Sequence, residues 1–200
     1  MKIKTCGLFR QEDITFANIL QPDFIGFVFA PSKREIHISQ AYEYKKYLVD
    51  SIQVVGVFVD SPKDRILEII QAGLIDIIQL HGNESEEYIA ELKALCNAPI
   101  IKAVRVQNIH DMHTTTLADY ILYDSSSGGS GLCFDWRFLD EIHNTKPYFL
   151  AGGINANNLA QAISHKPYAI DVSSGIESQG IKDFEKMAHI IHTIRGNAHE

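Results

Sequence analysis

Short apolar runs and amphipathic stretches alternate along the whole chain. The runs are KIKTC (2–6), FIGFVF (24–29), VVGVFV (54–59), DIIQL (76–80), IIKAV (100–104), YILYD (120–124), YFLAG (148–152) and AIDVS (169–173). Each is five or six residues, mostly β-branched or aromatic, and most are bounded by Gly, Pro, Asn or Asp. Continuous apolar runs, rather than strict alternation, mark strands covered on both faces, as in a parallel sheet. Between them the spacing predicts helices over 11–20, 39–49, 63–72, 85–96, 135–143, 155–163 and 181–194. Ser61-Pro62 offers a cap and a first-turn proline to the third of these, and Gly73 closes it. Segment 107–117 is polar and holds three successive threonines, so its helix is expected to be short or absent. Eight strand–helix repeats in 200 residues predict an α/β fold. The expected form is a single compact (β/α)8 TIM barrel, one domain over 1–200, with an irregular fifth helix region. A doubly wound open sheet of eight strands is the alternative.

Composition narrows the function. Hydrophobic residues make up 46% and charged residues 22%, which excludes a disordered chain. The formal charge of -7 argues against nucleic acid as a partner, since a phosphate backbone asks for a basic face. No apolar run is long enough to span a membrane, and the N-terminus lacks the apolar stretch of a signal peptide. Cys6, Cys96 and Cys133 are an odd number without CxxC spacing, which points to a reducing, cytoplasmic setting and away from structural zinc.

In a barrel of this kind chemistry gathers at the C-terminal ends of the strands. Those ends carry Cys6, the Pro-Ser-Lys-Arg34 loop, Gln79 with His81, Asp124, Gly152-Gly153 and Asp171 followed by Ser173-Ser174-Gly175. Glycine turns let backbone N–H groups approach an anion, and barrels often bind phosphate after strands seven and eight. Two tight turns that merely need glycine are the competing reading. Cys6 is either a small buried hydrophobe or a base. Lys4 shares its strand parity, so it points inward too; there it pairs with Asp171 or favours the thiolate, or does both. Asp124 either caps a turn or faces Cys6 as an acid, a pairing suited to moving a proton within a substrate. Arg34 is a solvated loop charge or a bidentate grip on a carboxylate. Gln79 and His81 share parity and either line the pocket or satisfy each other. The histidines show no HExxH spacing, the glycines at 128–131 lack a following GK[ST], and no GxSxG elbow is present.

Taken in order, KTCGL (4–8), GFVFAPSKREI (26–36), VGVFVD (55–60), IIQLHGNE (77–84), IKAV (101–104), DSSSGGSGLCFDW (124–136), LAGGINANN (150–158) and DVSSGIESQGIKD (171–183) resemble phosphoribosylanthranilate isomerase over essentially the whole chain. The resemblance implies an Amadori rearrangement of N-(5-phosphoribosyl)anthranilate in tryptophan biosynthesis, on a barrel with no cofactor and no metal. Cys6 then matches the general base and Asp124 the general acid. Arg34 matches the grip on the anthranilate carboxylate, and Gly152, Gly153, Ser173, Ser174 and Gly175 match the phosphate site. Gln79, His81 and Asp171 match pocket-lining positions. Such a pair is expected to need a carboxyl group raised by apolar walls and a thiol lowered by neighbours such as Lys4. Thr5 departs from the aliphatic residue many relatives carry, but it faces away from Cys6. The rivals are a histidine-pathway isomerase with paired aspartates, an indole-forming synthase leaning on a strand-end lysine for which Lys102 lies too far back, and a non-catalytic phosphate-ligand binder. The expected partner is a small phosphosugar, with no nucleic acid and no membrane, acting on a monomer rather than a homodimer.

Overall fold

Eight parallel strands hydrogen-bond in chain order and close on themselves. They are β1 (Lys2–Cys6), β2 (Phe24–Val28), β3 (Gln53–Phe58), β4 (Ile77–Leu80), β5 (Ile100–Val106), β6 (Tyr120–Ser125), β7 (Tyr148–Leu150) and β8 (Ala169–Val172). Closure comes from β1 and β8, with Lys4 opposite Asp171, so the barrel holds and the open sheet does not. The structure, a computed structural model, describes residues 1–125, 133–141 and 146–196. Positions 126–132, positions 142–143 of the predicted helix over 135–143 and the residues beyond 196 lie outside the described residues.

Among the described residues six α-helices pack outside the sheet: α1 (Gln11–Leu20), α2 (Ile38–Tyr47), α3 (Lys63–Gln71), α4 (Glu86–Leu95), α5 (Leu159–Ser164) and α6 (Phe184–Gly196). Ser85 caps α4 by accepting from the Tyr88 N–H at 3.2 Å, whereas Ser61 does not cap α3: its buried hydroxyl has no partner and Pro62 holds the cap position. Where a fifth helix would lie, only a 3-10 segment forms, Ile109–His113, as its polar sequence predicts. The stretch predicted as a helix over 135–143 is likewise a 3-10 segment, Trp136–Glu141. Two further boundaries move. The predicted helix at 155 begins only at Leu159, because Asn155–Asn158 is a turn stitched by side-chain amides. The predicted helix at 181 begins at Phe184, because β9 (Glu177–Ser178) and β10 (Ile181–Lys182) make a small antiparallel hairpin first.

The barrel interior is filled at its N-terminal end. Phe24, Val55, Ile77, Ile101, Leu122, Phe149 and Ala169 pack there. The rings of Phe24, Phe149, Tyr120 and Tyr168 sit 5.2–5.6 Å apart, and Lys2 lies over two of them. With that end plugged, inward-pointing polar residues are left only the other end.

Candidate active site

Strand parity delivers the pocket. Side chains alternate along a strand, so Lys4 and Cys6 on β1, Gln79 on β4 with His81 after it, Asp124 on β6 and Asp171 on β8 all point inward. A pocket of about 250 Å³ at the C-terminal mouth is lined by Cys6, Arg34, Gln79, His81, Asp124, Gly152, Gly153, Asp171, Ser173 and Ser174, among others. Gly175 is the one predicted site residue outside that lining. A Cβ there would stand 1.9 Å from the Ile154 carbonyl oxygen, so its smallness lets the loops after β7 and β8 touch. Lys102 is also outside: it points away from the interior and pairs with Glu84 at 2.7 Å, which removes it as a strand-end lysine of the pocket.

Lys4 is fully buried and donates to Asp171 Oδ2 and to Gln79 Oε1, both at 2.8 Å. Burial alone would depress its ammonium, but Asp171 and Cys6 outweigh that and hold its pKa above the ordinary lysine value. Cys6 behaves otherwise than expected. Burial pushes the thiol up, and Lys4 and Lys182 offset this only in part, so in the free site the thiol is raised rather than lowered. The physical reason is desolvation: an anion removed from water costs more than two nearby ammonium groups return. Asp124 Oδ1 accepts from the N–H of the next residue, Ser125, at 2.7 Å, while Oδ2 lies 3.3 Å from His81 Nε2 inside the pocket.

Arg34 is neither free in solvent nor idle. Its Nε and Nη2 donate to the two oxygens of Glu177 at 2.6 and 2.9 Å, which raises its own pKa. Glu177 also accepts from Lys182 Nζ at 2.6 Å. Burial would raise the Glu177 carboxyl, but Arg34 and Lys182 bring it below the ordinary glutamate range. For Lys182 burial wins over Glu177 and lowers the ammonium. Lys182 ties the mouth together further by donating to the Ser173 carbonyl at 3.0 Å, and the Ser173 hydroxyl donates to the Cys6 carbonyl at 3.0 Å.

Sequence reasoning missed three contributors. Glu177 and Lys182 meet across the β9–β10 hairpin, whose turn residues Gln179 and Gly180 have φ of 54° and 81°. Two successive positive values mark a tight two-residue hairpin turn, and Gln-Gly was the available signal. Gly26 on β2 is the third: a Cβ there would lie 2.6 Å from Cys6 Sγ. A glycine inside a buried strand is the sign of such close approach.

The anion side keeps its glycines but changes its helix. Gly152 and Gly153 have φ of 83° and 66°. At Gly152 a Cβ would meet the Ser125 backbone nitrogen at 2.6 Å. The helix that follows starts six residues after Gly153 and is six residues long, so the expected helix N-terminus is not at the pocket. What is there is backbone. Among the described residues the N–H groups of Gly153 and Ser174 have no protein acceptor. Side-chain amides of Asn155 and Asn158 hold the Gly153 carbonyl at 2.9 and 3.1 Å and so fix the direction of that turn.

Comparison with known proteins meets this geometry. A family model for N-(5'phosphoribosyl)anthranilate (PRA) isomerase matches residues 3–193. A relative from Endomicrobium trichonymphae named N-(5'-phosphoribosyl)anthranilate isomerase is 45% identical, over 97% of this chain and 98% of its own length. The crystal structure of phosphoribosyl anthranilate isomerase from Thermotoga maritima superposes with a TM-score of 0.88 at 34% identity, over 98% of this chain and 99% of its own. A second solved structure is of the isomerase in complex with reduced 1-(o-carboxyphenylamino)-1-deoxyribulose 5-phosphate. It has a TM-score of 0.83 and 32% identity, over 98% of this chain and 99% of its own.

Proposed function

Because the chain belongs to the N-(5'-phosphoribosyl)anthranilate isomerase family, the aldose–ketose isomerases of tryptophan biosynthesis, we propose that Cys6 is the base and Asp124 the acid of an Amadori rearrangement in this pocket. The observation that carries the assignment is that one thiol and one carboxyl group, on strands three apart around the barrel, wall the same cavity. Asp124, protonated, gives its proton to the furanose ring oxygen. The bond from that oxygen to C1 breaks, and the anthranilate nitrogen lone pair forms the C=N bond of a Schiff base. The Cys6 thiolate then takes the proton from C2. The C–H electrons become the C1=C2 bond and the C=N electrons return to nitrogen, giving an enolamine. Uptake of a proton at C1 and loss of one from the C2 hydroxyl complete 1-(2-carboxyphenylamino)-1-deoxyribulose 5-phosphate. A raised thiol makes a stronger base, which suits abstraction from carbon, at the cost of a small thiolate fraction.

The other groups orient the substrate. Arg34 spends two of its five donors on Glu177, and its remaining Nη edge is free to take the anthranilate carboxylate. The N–H groups of Gly153 and Ser174, with Ser173 and Gly152 around them, support binding of the phosphate. Gly175 contributes by letting the two loops meet. The Asp171 Oδ1 atom is buried beside the cavity with no partner among the described residues, so it accepts from a hydroxyl of the sugar chain. All these groups come from one barrel, so the single chain is the working unit. A cytoplasmic setting belongs to the same reading, since Cys6 has to stay a free thiol and none of the three cysteines is bridged.

Cys6→Ser and Asp124→Asn test the assignment. Each should lower kcat by at least ~10² while the fold persists. Near wild-type turnover in either folded variant removes that residue from the mechanism.

A further inference from the structure

Asp171, Lys4, Gln79 and His81 form one hydrogen-bonded file beside the pocket with Asp124 standing 3.3 Å from its end, and donor chemistry gives the file a direction. An ammonium has donors and no acceptor, so the Gln79 atom 2.8 Å from Lys4 Nζ has to be the amide oxygen. Gln79 Nε2 is then the atom 2.9 Å from His81 Nδ1. An amide nitrogen only donates, so Nδ1 accepts and the imidazole proton sits on Nε2. That nitrogen faces Asp124 Oδ2 at 3.3 Å.

We propose that Lys4 and Gln79 are positioning residues that lock His81 in its Nε2–H tautomer, so that the ring turns an N–H toward the carboxyl group of Asp124. The catalytic part of this inference rests on the reading of Asp124 as the acid; the tautomer does not. Once Asp124 has given its proton to substrate, the Ser125 N–H is bonded to Oδ1 and the His81 N–H stands 3.3 Å from Oδ2. Both donors are neutral. They steady the carboxylate without the full positive charge of an imidazolium, which would hold Asp124 ionised and deprive it of the proton it has to deliver. A proton on Nδ1 would oppose the amide N–H of Gln79, and flipping that amide would turn its NH₂ onto a fully buried ammonium. Lys4 thereby acts at a distance, through an amide that has no freedom to turn.

Heteronuclear NMR of protein carrying isotope-labelled histidine reads the tautomer directly. A His81→Asn variant assigns the His81 signals among the nine histidines. The expected signature near neutral pH is Nε2–H with an unprotonated Nδ1. In Gln79→Glu a carboxylate oxygen replaces the amide nitrogen, so Nδ1 should gain a proton. There kcat should fall at least ~10-fold, by loss of a preorganised donor, with a smaller change in KM. A wild-type ring protonated on Nδ1 overturns the proposal, and needs no variant to fold. A folded Gln79→Glu protein with wild-type kcat overturns the positioning role. If Asp124→Asn keeps full turnover while His81 shows Nε2–H, the acid assignment and the positioning role fall and the tautomer stands.

Discussion

At the scale of single residues, Cys6 has a thiol raised by burial in a pocket whose acid has to be protonated when the thiol is not. The kcat/KM profile, which reports the free enzyme, should change slope where the Cys6 thiolate forms, above the ordinary value of 9.0. Thiolate absorbance titrated beside the rate profile checks this; a thiolate already formed near neutral pH contradicts it. Gly26→Ala presses a methyl group onto Cys6 Sγ. Displacement of the base by about 1 Å should cost up to ~10² in kcat/KM, with circular dichroism unchanged. Cys6, Asp124 and their inward direction were legible from strand parity and strand-end position. Gly26 was not singled out, because the contact joins residues on different strands and shows only once β1 and β2 are in register. The direction of the thiol shift was misjudged because the ammonium is written in the sequence and the burial is not.

At the scale of elements, the β9–β10 hairpin holds Glu177 between Arg34 and Lys182 and so aims the carboxylate grip. Glu177→Gln should raise KM by about tenfold through loss of charge-assisted bonds to Arg34, with a smaller effect on kcat, measured by steady-state kinetics. The same residue ties stability to pH. Its folded value is lowered, so as pH falls the unfolded chain binds the proton first. Its contribution is present above about 4.5 and is lost as pH drops through the depressed folded value. Urea unfolding across that range should show a shallower acid loss for Glu177→Gln than for wild type. Ser61→Ala makes a contrasting case: a buried unpartnered hydroxyl is removed, so stability should hold or rise rather than fall by the ~1 kcal/mol of a lost cap. Helix boundaries were the least legible feature. Asn155–Asn158 has amides that hydrogen-bond the backbone in a turn as readily as they precede a helix. At 181–183 an apolar period hid a hairpin.

At the scale of the whole molecule, the barrel divides its labour between two ends. Aromatic rings fill the N-terminal end, and every proposed functional side chain lies at the other. Phe149→Ala should cost about 3–5 kcal/mol in unfolding free energy while the folded fraction keeps its kcat and KM, a combination read from denaturation and kinetics on one preparation. The eight strands and their order were legible because each apolar run is short, buried on both faces and followed by an amphipathic stretch. Closure was expected from the eightfold repeat, with the open sheet as its alternative, and the register of β1 against β8 is what decides between them. The central claim is that Cys6 removes the C2 proton while Asp124 supplies one to the ring oxygen. Single-turnover rates with substrate deuterated at C2 test it most directly. Wild-type enzyme should slow on deuteration, and Cys6→Ser should lose at least ~10² of the single-turnover rate; a Cys6→Ser enzyme that keeps both the wild-type rate and its isotope effect would contradict the assignment.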